Sequence, residues 1–217
     1  MATVTEENYL KALLSLADED GRVAVSELSR QLGVSTPSAN SMVRRLAERG
    51  LVHYEKYKPV ALTESGRKAA ALIVRKHRLT EMFLVERMGF GWEEVHAIAE
   101  QIEHVESPDF FRRMDELMGH PTVDPHGSPI PDPEGNLPAT PRRRLSDCRT
   151  GERVVIAGLD HSSNEFLHFL NDRGLALQTE LTITHRESFD GSLTVDYGES
   201  RGVTFSKVVA DRLLVAG

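Results

Sequence analysis

Ser26-Glu27-Leu28-Ser29-Arg30-Gln31-Leu32-Gly33-Val34-Ser35-Thr36-Pro37-Ser38-Ala39-Asn40-Ser41-Met42-Val43-Arg44-Arg45-Leu46 decides the fold. It reads as a helix, a glycine stop and a second helix. Ser26 is the expected N-cap of the first, Leu28 and Leu32 its apolar positions, and Gly33 its end. Ser35 or Thr36 caps the second, where Pro37 is tolerated because first-turn amides lack intrahelical partners. Met42, Val43 and Leu46 face inward, and Gly50 closes the element. Upstream, Tyr9, Leu10, Leu13, Leu14, Leu16 and Ala17 make one apolar helical face, ended by Asp18-Glu19-Asp20-Gly21. Downstream, residues 51–63 are β-rich with basic residues near Pro59 and predict a two-stranded hairpin. This outline is a winged helix-turn-helix.

A long helix follows from about Thr63 to Met88, and helices continue from Trp92 to about Leu117. Seven of the ten prolines lie in 119–144, which predicts a linker or an irregular ordered loop. Beyond Leu145 the texture becomes short apolar runs at Arg153–Ala157, Glu180–Thr184, Ser192–Tyr197 and Gly202–Phe205, with one helix over Ser163–Arg173. That predicts a small SH3-like β-barrel. The fold class is therefore multidomain α+β. The expected division is a winged helix-turn-helix over 1–64, a helical dimerisation and metal-binding domain over 65–140, and an SH3-like domain over 145–217.

The chain has 217 residues, 40% hydrophobic and 27% charged, which excludes a disordered, collagen-like or coiled-coil protein. No apolar run reaches the roughly 18 residues of a membrane helix. The N-terminus has no basic secretory n-region, and the single cysteine, Cys148, fits a reducing cytoplasm. The net charge of −7 is uneven: residues 1–78 hold 13 Lys/Arg and 9 Asp/Glu, so the basic excess lies in the winged portion.

The second helix of the pair opens with small polar groups, Ser35, Thr36, Ser38, Asn40 and Ser41, beside Pro37. Short side chains let a helix sit deep in a major groove and meet base edges. Arg44 and Arg45 lie a turn later, placed for phosphates, and Tyr54, Lys56, Tyr57 and Lys58 of the hairpin are placed for flanking backbone.

Five of the nine histidines lie between 77 and 126. His77 and Glu81 are i and i+4 on one helix, and His96 and Glu100 repeat the relation on the next. Glu103 and His104 extend that stripe. Two such stripes face to face concentrate carboxylates that need a cation. Two other readings stand beside a metal site: exposed i, i+4 pairs, and a hydrolytic centre in which a metal activates water.

Together these pieces resemble the DtxR/MntR family, the metal-dependent regulators related to the diphtheria toxin repressor. The residues that carry the likeness are Asn8-Tyr9-Leu10, Val34–Arg45, Tyr54–Tyr57, Leu62–Gly66, Arg75–Glu81, Glu94-Val95-His96, Glu103-His104-Val105 and Asp124–Pro131. The resemblance implies a cytoplasmic homodimer that binds palindromic operators when loaded with Mn(II) or Fe(II) and acts as a repressor of metal-homeostasis genes. It also implies that the third domain is of FeoA type. The main metal site would take Asn8, Glu100, Glu103 and His104, and the other site His77, Glu81 and His96. Asp124 and His126 match a loop that some manganese-responsive members use, and Asp160 and Glu165 match a contribution from the third domain. The iron-responsive branch has sulfur ligands at the positions of Asn8 and Glu100. Oxygen at Glu100 favours Mn(II). The manganese branch usually has Asp where this chain has Asn8, a site one negative charge richer, and Glu6 or Glu7 is a substitute. No catalytic residue is expected. A metal-independent winged-helix regulator is the alternative function, and a metal-dependent hydrolase a third.

Overall fold

A computed structural model describes residues 3–138, 142–160 and 162–217. Part of the expected Pro-rich linker, 139–141, lies outside the described residues, as do residues 1–2 of the N-terminus. The chain divides into two compact units. One is Met1–Thr80, Ala99–Thr122 and Ile130–Pro138; the other is Glu81–Ile98, Val123–Pro129 and Ala139–Gly217.

The first unit opens with α1 (Val4–Leu16). Thr3 caps it, accepting from the Glu6 amide while the Glu6 carboxylate accepts from the Thr3 amide, a reciprocal capping box. Then come β1 (Arg22–Val23), α2 (Val25–Gln31), α3 (Thr36–Glu48), β2 (Val52–His53) and β3 (Val60–Leu62). Strand β3 sits between β1 and β2, antiparallel to both, so the hairpin expected from sequence has a third strand. Helix α2 starts one residue before its expected cap: Ala24 holds the N-cap position and makes no side-chain bond, and Ser26 lies within the first turn. Ser35 does cap α3, accepting from the Ser38 amide at 3.3 Å. Leu10, Leu13, Leu28, Val43, Leu46 and Val60 pack into one core beneath the two helices.

Helix α4 (Glu64–Met88) is continuous over 25 residues. Sequence periodicity carries helix from Trp92 onward, whereas the structure breaks it into α5 (His96–Ile102) and α6 (Pro108–Leu117). Ser107 and Pro108 restart the chain, with Ser107 accepting from the Phe110 amide. Glu103 and His104 consequently lie in the turn after α5 and not on its helical stripe.

The second unit is built on a six-stranded antiparallel sheet: β4 (Arg143–Arg144), β5 (Arg153–Leu159), β6 (Glu180–Arg186), β7 (Leu193–Tyr197), β8 (Ser200–Phe205) and β9 (Leu213–Ala216), in the order β4-β9-β5-β6-β7-β8. Helices α7 (Asn164–Asn171) and α8 (Lys207–Arg212) complete it. Register shifts near Ile156, Ile183 and Val195 curve the sheet around Leu145, Ile156, Leu181, Ile183, Val195 and Phe205. This is the SH3-like architecture. Among the described residues no helix is long and apolar enough to cross a membrane.

Candidate metal centre and nucleic-acid interface

In the second unit, Glu81, Asp124 and His126 are all buried, and each presents a ligand atom within 4.8 Å of the others. Glu81 comes from the last turns of α4. Its Oε1 is 3.2 Å from His96 Nδ1 and its Oε2 is 3.8 Å from His126 Nδ1. His77 lies one turn earlier on α4, on the same face as Glu81. The loop that carries Asp124 and His126 is folded on itself: Asp124 Oδ1 accepts from the amides of His126 and Ser128, both at 2.8 Å. Gly127 has φ +82°, and a Cβ there would stand 2.6 Å from Gly158 Cα and nearer still to the Ala157 carbonyl oxygen. Only glycine lets the loop lie so close to β5.

His126 stacks on Trp92, ring centroids 6.0 Å apart, and its Nε2 donates to the Trp92 carbonyl oxygen at 2.9 Å. A carbonyl can only accept, so Nε2 carries the proton. In the neutral ring Nδ1 then presents its lone pair to the Glu81 carboxylate. A cation set between that lone pair and the carboxylate would be bound by both. Backbone anchoring of one imidazole nitrogen is how a metal-ligating histidine is oriented. The set of two carboxylates and imidazole nitrogen suits Mn(II) and Fe(II).

In the first unit the turn after α5 faces α1. Glu103 is fully buried. Lys11 Nζ donates to its Oε1 at 2.7 Å and stands 3.6 Å from Glu100, while His77 Nδ1 is 2.5 Å from its Oε2. Burial alone would raise the Glu103 carboxyl; the hydrogen bonds from His77 and Lys11 outweigh it and hold the group below the ordinary range. His104 Nδ1 contacts Glu7 Oε2 at 2.6 Å, and His104 Nε2 is 3.6 Å from Glu103 Oε1. Asn8 is half-buried, one turn before Lys11 on the same face of α1. Of the two acids expected as substitutes for it, Glu7 reaches His104 and Glu6 does not serve there. The Glu6 carboxylate is 2.7 Å from Arg49 and 3.1 Å from Arg45, both on or just past α3.

Lys11 is the residue of this cluster that sequence reasoning missed. Its signal was available: a cation at i+3 from Asn8, on the face assigned to a metal.

The start of α3 is exposed at Ser35, Thr36, Pro37, Ser38 and Ser41, with Asn40 half-buried. Asn40 donates to the Thr36 carbonyl and the Ser35 and Ser38 hydroxyls pair at 2.8 Å. Arg44 lies 5.9 Å from the Tyr54 ring centroid, joining α3 to the wing. Tyr57, at φ +67°, is 92% exposed at the wing tip, with Lys56 over its ring and Lys58 paired to Glu55. A groove between α3 and the wing is lined by Pro37, Asn40, Ser41, Arg44, Tyr54 and Lys58. In the second unit, Asp160 pairs with Arg144 at 3.1 Å and Glu165 lies exposed in the first turn of α7.

Comparison with known proteins matches three family models in succession. The N-terminal DNA binding domain of iron dependent repressors covers residues 1–60, their metal binding and dimerisation domain covers 63–132, and the FeoA domain covers 143–216. The chain is 39% identical over 159 residues to the iron-dependent repressor IdeR of Mycobacterium tuberculosis, spanning 70% of this chain and 69% of that protein. It is 35% identical over 200 residues to the diphtheria toxin repressor of Corynebacterium efficiens, spanning 84% of each. Among solved structures, a manganese-dependent transcriptional repressor in complex with manganese superposes with a TM-score of 0.87 at 35% identity, over 98% of this chain and 99% of the other.

Proposed function

The chain belongs to the iron-dependent repressor family, and from that premise we propose that Mn(II), with Fe(II) the second candidate, is the cation that activates it. It is a metal-dependent DNA-binding transcriptional repressor built to act as a homodimer. The observation that carries the metal reading is the buried Glu81–Asp124–His126 donor set, with the Trp92 carbonyl fixing the His126 ring.

When bound, a divalent cation supplies positive charge and directional bonding to oxygen and nitrogen donors. We assign Glu81, Asp124 and His126, with His96 beside them and His77 on the same helix face, to one centre. We assign Asn8, Glu100, Glu103 and His104 to the other. Asp160 and Glu165 rank behind these, since Asp160 is engaged by Arg144 and Glu165 points from an exposed turn.

Helix α1 is the link to DNA reading. Its Glu7 and Lys11 contact the turn after α5, and its Glu6 holds Arg45 and Arg49 beside α3. A change in how α1 is held therefore reaches the recognition helix. Ser35, Thr36, Pro37, Ser38, Asn40 and Ser41 form the base-facing set. Arg44, Arg45, Tyr57 and Lys58 form the phosphate-facing set. In this scheme 1–64 reads a palindromic operator, 65–140 dimerises and binds metal, and 145–217 is the accessory SH3-like part. The compartment is the cytoplasm, with the DNA, and no residue is given a catalytic role.

Fluorescence anisotropy with a duplex selected by the full chain tests the reading. Affinity should rise on adding Mn(II), by a coupling of about 1–3 kcal/mol. Metal-independent affinity would return the assignment to a metal-independent winged-helix regulator.

A further inference from the structure

The Glu103 cluster already contains a cation. Glu103 Oε1 is its common point, with Lys11 Nζ at 2.7 Å and His104 Nε2 at 3.6 Å, and Glu100 lies 3.6 Å from the same ammonium. Glu103, Glu100 and, across the His104 ring, Glu7 bring three carboxylates to the cluster, against the single ammonium of Lys11. The His104 ring lies between two carboxylates, with Nδ1 2.6 Å from Glu7 and Nε2 on the Glu103 side. Among the described residues, the ligand atoms of Glu100, Glu103 and His104 do not gather as tightly as those of Glu81, Asp124 and His126. We propose that Lys11 is a tethered cation standing in the divalent-ion site around Glu103, so that Mn(II) loading of that site requires the ammonium to leave.

Two physical points support the exchange. A carboxylate with no exposure cannot be left uncompensated, because an unpaired buried charge is strongly destabilising. Lys11 on Oε1, with the His77 ring 2.5 Å from Oε2, supplies that compensation when no metal is present, and Lys11 keeps α1 on the turn after α5. The lysine side chain is 21% exposed, so its ammonium has a short path to water once a divalent ion takes the oxygens. The same contact thus steadies the metal-free fold and weakens the site for metal. The apparent Mn(II) affinity of the centre is set by competition with a group on the protein itself. This rests on the assignment of Glu100, Glu103 and His104 to a metal centre made above.

The test is Mn(II) titration of the chelator-treated full-length chain, read by the electron paramagnetic resonance of free Mn(II), with thermal melting of the metal-free protein alongside. Lys11→Gln and Lys11→Met should each tighten one Mn(II) site by about tenfold or more, equivalent to about 1.4 kcal/mol. Both should also lower the metal-free melting temperature. Lys11→Arg should behave like the parent. The gain should vanish in the Lys11→Gln/Glu103→Gln double variant. Unchanged or weaker Mn(II) binding in both single variants overturns the proposal, as does a gain that survives loss of Glu103. Mn(II)-stimulated DNA binding by the parent with no effect of Lys11 would sink this inference and leave the proposed function standing. Tightened Mn(II) binding with no metal effect on DNA in any variant would do the reverse.

Discussion

Glu6→Ala should destabilise the metal-free chain by about 2 kcal/mol. Glu6 is 1% exposed and makes three contacts: the Thr3 amide at 2.7 Å, Arg49 at 2.7 Å and Arg45 at 3.1 Å. The capping-box half contributes about 1 kcal/mol. A charge-assisted bond contributes about 1.5–3 kcal/mol when fully buried. Arg49 and Arg45 are 38% and 58% exposed, so water screens both and each falls toward about 0.5 kcal/mol. Glu6→Gln keeps an acceptor for the Thr3 amide and loses the charge, and should cost about 1 kcal/mol. Urea unfolding followed by helical circular dichroism measures these losses. A double-mutant cycle with Arg49→Ala should return a coupling of about 0.5 kcal/mol or more. A loss under 0.5 kcal/mol for Glu6→Ala together with zero coupling would refute the claim that α1 is fastened to α3 through this carboxylate.

Gly127→Ala places a β-carbon against the β5 backbone at positive φ, so it should cost 2 kcal/mol or more, roughly, and weaken Mn(II) binding at Glu81; calorimetric titration checks it. Arg75→Met takes from Asp115, which is 7% exposed, its arginine partner at 2.7 Å and leaves it His120 at 2.9 Å, and should cost about 1–2 kcal/mol, with Asp115→Asn milder; chemical denaturation compares them. Cys148 is buried and burial pushes its thiol up, so it should resist Ellman's reagent in the native protein and react as the fold opens. Lys58→Ala should weaken DNA binding about equally across sequences and reduce the salt slope by about 1.

Much of this fold is legible because its punctuation is chemical. Gly33, Ser35 and Pro37 mark the turn into α3, and the short apolar runs after Leu145 mark the strands. What escaped reading has weak local signals. Strand β1 is two residues long and exists only because β3 pairs with it. Helix α2 follows an N-cap alanine, Ala24, whose side chain offers no cap, and β9 follows α8 with no turn residue between them. At the candidate centres, helical spacing finds the ligand types but not their partners. His96 shares a face with Glu100 by spacing, yet its ring lies against Glu81 on α4, a contact that spacing along one helix does not encode. The Trp92 carbonyl that orients His126 is a main-chain atom and has no residue-type signature at all.

The rims of the six-stranded sheet bear on how copies of this chain meet. At one rim β4 has two residues, and both are arginines, Arg143 and Arg144. At the other, β8 carries Arg201 and a positive-φ Gly202, whose amide is already taken by Asp196. Neither offers the flat, bare row of amides and carbonyls on which foreign strands template. Crowded solutions of the protein should therefore resist strand-by-strand accretion, which leaves pairing of copies to the helices.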